Sequence, residues 1–308
     1  MTALGAFLLG ALVGRIVLRA ISSLLDTPTL NRANYRGHQL HTSAGIAVIV
    51  AAIAGAAVAA VASTIRPQLA LLHIGVVGGG GSHERDGLTV YAVLWCVLGF
   101  GLLGVLDDLL ATADDRGFAG HLRALCRGRL STGALKLIGG AAVALTLGSE
   151  LDGGRVHQRL LVVVLDAAVI ALSANTANLF DRAPGRTLKV TGLAYGVLAV
   201  VAIKGGSSGD LGAVGFVVGA GAALLRADLD ERIMLGDAGA NPLGAVLGVG
   251  ACLTVGVSAR IAVLAVLVAL NAVSEVLSFS RIIDRVAVLR WADRLGARPE
   301  RRAFMIQQ

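Results

Sequence analysis

Residues 88–108, LTVYAVLWCVLGFGLLGVLDD, decide the fold of this chain. Their apolar part matches the length of about 20 residues that a helix needs to cross the hydrocarbon core of a bilayer. The run contains neither Pro nor a charged residue before it reaches Asp107 and Asp108. A charge is costly at the bilayer centre but reaches water at a helix end, so the aspartate pair marks the end of a transmembrane helix.

Comparable apolar runs recur through the whole chain. Hydrophobic residues make up 56% of the 308 residues and charged residues 15%, and the mean hydropathy is +0.77. Soluble domains are nearer half apolar and a quarter charged. We therefore expect an all-α, polytopic transmembrane helix bundle of about nine to ten spans, forming a single domain over residues 1–308. The nine runs are residues 3–21, 44–62, 88–106, 133–147, 160–174, 188–203, 211–225, 243–257 and 261–277.

The basic residues orient these helices. Cytoplasmic loops carry an excess of Lys and Arg, and an N-terminus outside the cell places most of them in the cytoplasmic segments. The net charge of +7 is thereby explained without nucleic acid, since no soluble domain presents it. Residues 281–308 are Arg-rich, and we expect them to form a cytoplasmic amphipathic tail at the membrane surface.

This topology places three polar clusters together at the cytoplasmic side: Gly104-Val105-Leu106-Asp107-Asp108, Asn175-Thr176-Ala177-Asn178-Leu179-Phe180-Asp181 and Gly236-Asp237-Ala238-Gly239. Adjacent carboxylates repel, and a bound cation or a proton transfer relieves that repulsion. A solvated helix end explains the pair about equally well. We predict that the clusters meet around a divalent ion where the bilayer ends.

The second and third clusters supply further candidate ligands. Asn175 and Asn178 share a face if their helix continues, and Arg182, Arg186 and Lys189 follow as a group able to hold phosphate. Asp237 stands on a Gly-flanked turn, and Mg²⁺ uses only one or two protein carboxylates. The competing reading makes Asp237 a helix cap, with Pro242 in the first turn.

In this order the motifs resemble the polyprenyl-phosphate N-acetylhexosamine-1-phosphate transferase superfamily, which includes the phospho-MurNAc-pentapeptide translocase of peptidoglycan synthesis. The resemblance covers nearly the whole chain. It includes the first loop, with Arg36 and His41, the paired aspartates, residues 120–125, residues 132–136 with Lys136, the asparagine–aspartate segment 175–181 and the glycine–aspartate motif 235–239.

The resemblance implies transfer of a sugar 1-phosphate from a nucleotide diphosphate sugar to polyprenyl phosphate, for cell-envelope glycan synthesis at the plasma membrane. It implies that Asp107, Asp108 and Asp237 are catalytic, with Asp237 the ligand of Mg²⁺ (Mn²⁺ as an alternative ion). Substrate binding would fall to a wider group on the cytoplasmic face, with a homodimer left open. That group is Arg36, His41, Lys136, Asn175, Asn178, Asp181, Arg182 and Arg186.

The chain also departs from the family. Pro184 stands near the place of a second aspartate, Met234 replaces a common aromatic residue, and no His follows Leu277. These departures indicate a divergent member and leave the sugar and base open. They also keep a second hypothesis, a catalytically silent relative that binds polyprenyl phosphate or envelope-assembly partners.

Two other membrane protein classes fit less well. An intramembrane prenyltransferase needs aspartates three or four residues apart in two helices, and positions 111 and 112 carry none. A transporter would use polar groups inside spans, here Asp166, Asn271 and Glu275. We expect interhelical hydrogen bonding from Asn271 instead.

Overall fold

The protein is an all-α membrane bundle with one short β-hairpin among the residues that the computed structural model describes. These are residues 2–34, 37–71, 83–110, 128, 131–151 and 156–298. The longer helices are α1 (Ala3–Leu25), α2 (Ile46–Leu71), α3 (His83–Leu110), α4 (Thr132–Leu151), α5 (Val156–Phe180), α6 (Arg186–Gly205), α7 (Gly212–Ala222), α9 (Asp237–Thr254) and α10 (Val257–Val276). The shorter ones are α8 (Leu225–Leu229), α11 (Phe279–Arg285) and α12 (Ala287–Arg294).

Eight helical segments in the described part of the chain are long and apolar enough to cross a membrane. Our sequence count was nine to ten, and the difference lies in the run 243–257. That run falls within α9, whose first turns carry Asp237, Asn241 and Pro242, which lower its hydropathy. Pro242 lies inside the helix and not in its first turn, because α9 starts earlier than the apolar run.

Helix α9 forms the centre of the bundle. Nearly all of its residues are buried, and it packs most closely against α3 and α5. Small residues make this approach possible: a Cβ atom at Gly244 would lie 2.3 Å from the Ser173 carbonyl oxygen, and one at Gly248 would lie 2.7 Å from Ile170 Cα. Close backbone contact through Gly is the packing expected in lipid.

Polar contacts fix the relative directions of α5, α9 and α10. Asp166 on α5 accepts two hydrogen bonds from Arg260 Nη1 on α10, at 2.7 and 2.6 Å. Further along both helices, Asn271 Nδ2 donates to Thr176 Oγ1 at 2.9 Å. Helices α5 and α10 therefore run parallel, and the interhelical role predicted for Asn271 is confirmed. Arg260 also donates to the Val255 carbonyl at 3.1 Å, so α9 ends where α10 begins.

The loop after α1 forms a hairpin that sequence analysis treated only as a loop. Strands β1 (Asn31–Ala33) and β2 (Gln39–His41) pair antiparallel. The hairpin then joins the segment before α9, because Met234 N donates to the His41 carbonyl at 2.8 Å and Ala44 N donates to the Met234 carbonyl at 3.1 Å. The starts of α2 and α9 are thus held side by side.

Candidate functional site

Lys136 lies between two carboxylates at one end of the bundle. Its Nζ donates to Asp107 Oδ2 at 3.0 Å and also to Asp237 Oδ2. The three residues come from the end of α3, the start of α4 and the start of α9, and each side chain is 20% exposed. A partly buried group of opposite charges in contact with solvent is suited to binding a charged ligand.

Asp108 has a different task from its neighbour Asp107. Its two oxygens accept the first backbone N–H groups of α9, from Asp237 at 3.0 Å and from Ala238 at 3.1 Å. Ser43 Oγ donates to the same carboxylate at 2.7 Å. Asp108 therefore caps α9 from a neighbouring helix, where a negative charge is favoured by the helix dipole.

Two glycines make this cap possible. Gly236 has φ 70° and ψ 173°, a conformation that is essentially restricted to Gly. A Cβ atom at Gly236 would lie 2.6 Å from Asp108 Oδ2, and one at Gly104 would lie 2.2 Å from the Asp237 carbonyl oxygen. The ends of α3 and α9 meet only because both positions lack a side chain.

The asparagine–aspartate segment reaches the same site through Asn178. Its Nδ2 donates to Asp237 Oδ2 at 3.2 Å. Asp181 follows the end of α5 and accepts a hydrogen bond from Thr187 Oγ1 at 3.2 Å. Burial, together with the nearby carboxylates of Asp228 and Asp237, raises the pKa of Asp181 well above its ordinary value. Among the described residues, Asp181 is therefore held close to other acidic groups, and the hydroxyl that donates to it, that of Thr187, is neutral.

The other predicted site residues lie elsewhere or are engaged elsewhere. Asn175 donates to Asn271 Oδ1 at 2.5 Å, between α5 and α10. His41 Nδ1 is 2.9 Å from Asn31 Oδ1 inside the hairpin, and Arg182 is exposed. Arg36 and the segment 120–125 lie outside the described residues.

The predicted phosphate-binding group Arg182–Arg186–Lys189 is largely taken up by the C-terminal segment. Arg186 is bound to Asp293 of α12 by two hydrogen bonds, at 2.8 and 3.1 Å. Lys189 Nζ donates to three carbonyl groups at the end of the same helix, those of Ala292, Asp293 and Leu295. Both cations are thus engaged in holding α12.

Sequence reasoning missed three contributors to this region. Ser43 lies in the first loop and donates to Asp108, a role that its position in the sequence does not indicate. Asp228 accepts the Gly185 amide at 2.6 Å, and Asp293 pairs with Arg186. No sequence spacing indicates a role for Asp228 or Asp293, because the partner of each lies far away in the sequence.

The donors at this point are carboxylates, a ligand type that Mg²⁺ accepts, and a Lys136 ammonium group lies between them. Asp107 Oδ2 and Asp237 Oδ2 face one point, the position of the Lys136 ammonium group. Mg²⁺ usually takes one or two carboxylates from a protein, and phosphates and water fill its remaining positions. In the described part of the chain, no group of three or more His, Cys, Asp or Glu is arranged to hold a metal. No protein-family model matches the chain.

Proposed function

We propose that the protein is a membrane transferase that moves a sugar 1-phosphate from a nucleotide diphosphate sugar to polyprenyl phosphate. The observation that carries the proposal is the meeting of Asp107, Asp108, Lys136, Asn178 and Asp237 at one end of the bundle. They stand at helix ends, where a lipid-borne phosphate and a water-soluble nucleotide reach the same point. Phosphoryl transfer needs chiefly positioning and charge neutralisation, which this set of side chains supplies.

Asp237 is the residue that would hold Mg²⁺, with the Lys136 ammonium group kept on Asp107. The ion would supply charge neutralisation on the diphosphate oxygens. Asp108 fixes Asp237 by capping α9, and Asn178 restricts the Asp237 side chain from the other side. The first contact fixes the Asp237 backbone and the second holds its side chain, so the carboxylate is preorganised for its ligand.

In the reaction, an oxygen of the lipid phosphate attacks the phosphorus that carries the sugar. The bond from that phosphorus to the bridging oxygen breaks, and the nucleoside monophosphate leaves with the bridging oxygen and its electron pair. Lys136 lies where it can balance the negative charge that the approach of two phosphates creates. Asp107 keeps the Lys136 ammonium at the meeting point through their 3.0 Å contact.

The orientation is part of the proposal. Nine spans with the N-terminus outside place these residues on the cytoplasmic face of the plasma membrane, where nucleotide sugars are made. The excess of Lys and Arg in the corresponding loops supports this arrangement.

The test is a nucleotide exchange assay on purified full-length protein. Labelled nucleoside monophosphate is incubated with each of a panel of nucleotide sugars, polyprenyl phosphate and Mg²⁺, and label entering the nucleotide sugar is measured. Asp237→Asn should lower the exchange rate by about 10²-fold or more. Asp210→Asn makes the same chemical change in the loop beyond α6 and should leave the rate unaltered. Absence of exchange with every nucleotide sugar would refute the enzyme assignment.

A second candidate is a catalytically silent relative that binds polyprenyl phosphate. It is favoured by the engagement of Arg186 and Lys189 with α12, which removes two cations from the expected phosphate site. Pro184 in place of a second aspartate points the same way. Saturable binding of polyprenyl phosphate without exchange of any nucleotide would select this candidate.

A further inference from the structure

Helix α12 turns its apolar side outward and its acidic side inward. Asp293 is only 4% exposed on its side chain. By contrast, Val288 is 72% exposed, Trp291 65% and Leu295 53%. At the spacing of an α-helix these three apolar residues share one face. A helix of a water-soluble surface shows the opposite arrangement.

Specific bonds hold α12 in this orientation. The side chain of Arg186 is 3% exposed, and besides Asp293 it donates to Ser280 Oγ at 2.8 Å. Lys189 closes the end of α12 by donating to the Leu295 carbonyl at 2.7 Å. Phe279 stacks on Phe180 with ring centroids 5.0 Å apart. The helix cannot turn its apolar face inward without breaking a buried ion pair.

The surroundings of α12 match the edge of a bilayer. Helix α10 is a candidate membrane span that ends at Val276, which is itself strongly exposed, and α11 begins at Phe279. Only the short helix α11 separates α12 from the point where α10 leaves the hydrocarbon. Arg281, Arg285 and Arg298 are exposed on the same segment. Apolar side chains beside several guanidinium groups complement acyl chains beside anionic headgroups.

We propose that α12 docks in the interfacial layer of an anionic bilayer, with its Val288, Trp291 and Leu295 face among the upper acyl chains and the neighbouring arginines at headgroup phosphates. This docking does not depend on the transferase proposal. One consequence of the docking rests on the transferase proposal. The Arg186–Asp293 pair connects α12 to the turn that carries Asp181, and it therefore sets the depth of the site relative to a lipid phosphate.

Tryptophan fluorescence tests the docking directly, because the chain contains two Trp. In the full-length Trp95→Phe variant, Trp291 is the single remaining Trp. The variant is placed in lipid nanodiscs whose lipids carry bromine at shallow or deep acyl positions. We expect the strongest quenching from shallow bromines, and roughly twofold stronger quenching when anionic lipid replaces zwitterionic lipid, because nearby arginines are attracted to the negative surface.

Two comparisons make the test specific. Trp291→Phe retains Trp95, which lies about 18 Å along α3 from Asp107 at 1.5 Å per residue, and should be quenched best by deep bromines. Val288→Asp in the Trp95→Phe background should reduce the quenching of Trp291, whereas Val288→Leu should preserve it.

The proposal is overturned if Trp291 escapes quenching by every brominated lipid, or if deep bromines quench it best. Equal quenching in zwitterionic and anionic discs also overturns it, because the arginines would then contribute nothing. Protection of Trp291 from aqueous acrylamide without lipid quenching would show that another protein surface, such as a second copy, covers α12. Nucleotide exchange is not read in any of these measurements, so their outcome is distinguishable from the fate of the transferase proposal.

Discussion

Asp108 illustrates how a carboxylate can be needed at a site without facing a ligand. Its oxygens are occupied by two backbone amides of α9 and by the Ser43 hydroxyl. The amide bonds satisfy donors that would otherwise be unpaired at a helix start. Asp237 is thereby released from capping its own helix, and its side chain reaches Lys136 and Asn178 instead. Asp108 of α3 provides the cap, and the Asp237 carboxylate of α9 remains available for contacts with other side chains.

Gly236→Ala should damage the site and the fold together. The substitution puts Ala in a conformation reserved for Gly and brings its Cβ to 2.6 Å from Asp108 Oδ2. We expect a loss of about 3 kcal/mol in unfolding free energy and a large fall in exchange rate. The matched change is Gly206→Ala, where φ is 74° but a Cβ meets nothing within 4 Å. That variant should lose about 1 kcal/mol and keep full activity. Equal behaviour of the two variants in thermal unfolding and exchange would contradict this account.

Asp181 should make stability depend on pH in a predictable direction. Its folded pKa is raised, first by burial and then by Asp228 and Asp237, so the folded state holds this proton more tightly than the unfolded chain. Stability is therefore fully present below the unfolded pKa of about 3.9 and is lost as the pH rises toward the folded pKa. Asp181→Asn keeps an acceptor for Thr187 and removes the titration. The difference in melting temperature, variant minus wild type, should grow with pH above about 4. Parallel melting curves across the pH series would show that Asp181 does not carry this effect.

The sequence indicated the carboxylates of the site better than their partners. Asp107, Asp108, Asn178 and Asp237 were predicted to meet because each stands at the end of an apolar run, and a helix end has a defined depth. The capping role of Asp108 was not predictable, since it depends on the close approach of α3 and α9 at Gly104 and Gly236, where a Cβ would lie 2.2 and 2.6 Å from oxygen atoms of Asp237 and Asp108. Distances of that kind follow from packing and leave no local pattern.

At the scale of elements, the polar clasp formed by Arg186, Ser280 and Asp293 joins the C-terminal helices to the start of α6. The two charged side chains are almost completely buried, so each depends on the other for compensation of its lost hydration. The same turn carries Asp181 and the Gly185 amide that Asp228 accepts. The tail is therefore attached to the part of the molecule that forms one wall of the site.

Removing only the Arg186 charge from this clasp should lower the unfolding free energy more than removing the charges of both Arg186 and Asp293. Arg186→Met leaves Asp293 buried without its cation, which typically costs about 3–5 kcal/mol. The double variant Arg186→Met/Asp293→Leu removes both charges from the interior and should recover most of that loss. Thermal unfolding in detergent micelles, with limited proteolysis of the tail as a second readout, measures both changes. A double variant that is less stable than Arg186→Met would show that the pair is not the source of the stabilisation.

The elements themselves were largely predictable, and α9 was predicted from its apolar run 243–257 although the mean hydropathy of the whole helix does not select it as a span. An apolar run of membrane-spanning length has few alternatives to a helix in lipid, because its backbone groups must bond internally. Helix α9 instead begins with polar residues that the neighbouring helices surround, and its Gly and Ala residues contribute little hydropathy. The hairpin of β1 and β2 escaped prediction because its register depends on pairing with the segment before α9.

At the scale of the whole molecule, helix directions constrain the number of crossings. Asp237 at the start of α9 lies beside Asp107 and Asn178, whereas Val255 beyond its end accepts a bond from Arg260. Arg260 pairs with Asp166, and α10 then runs about 16 Å to Asn271 at 1.5 Å per residue, back toward the site end. Eighteen residues of α9 cover about 27 Å, close to the hydrocarbon thickness of about 30 Å. These distances favour a ninth crossing by α9, although its own hydropathy does not select it.

A ninth crossing places the two ends of α10 on defined sides, which single cysteines can report. The three native Cys are replaced by Ala, and exposed serines at either end of α10, Ser258 and Ser278, are changed to Cys one at a time. With the N-terminus outside, Ser258→Cys should react with a membrane-impermeant maleimide in intact cells. Ser278→Cys should react only after permeabilisation, and Ser208→Cys, in the loop between α6 and α7, serves as the outside reference. If α9 did not cross, Ser258→Cys would behave like an inside position and Ser278→Cys like Ser208→Cys. The Arg-rich segment after α10 would then lie outside, against the charge bias of the other loops, and the ninth crossing by α9 would have to be abandoned.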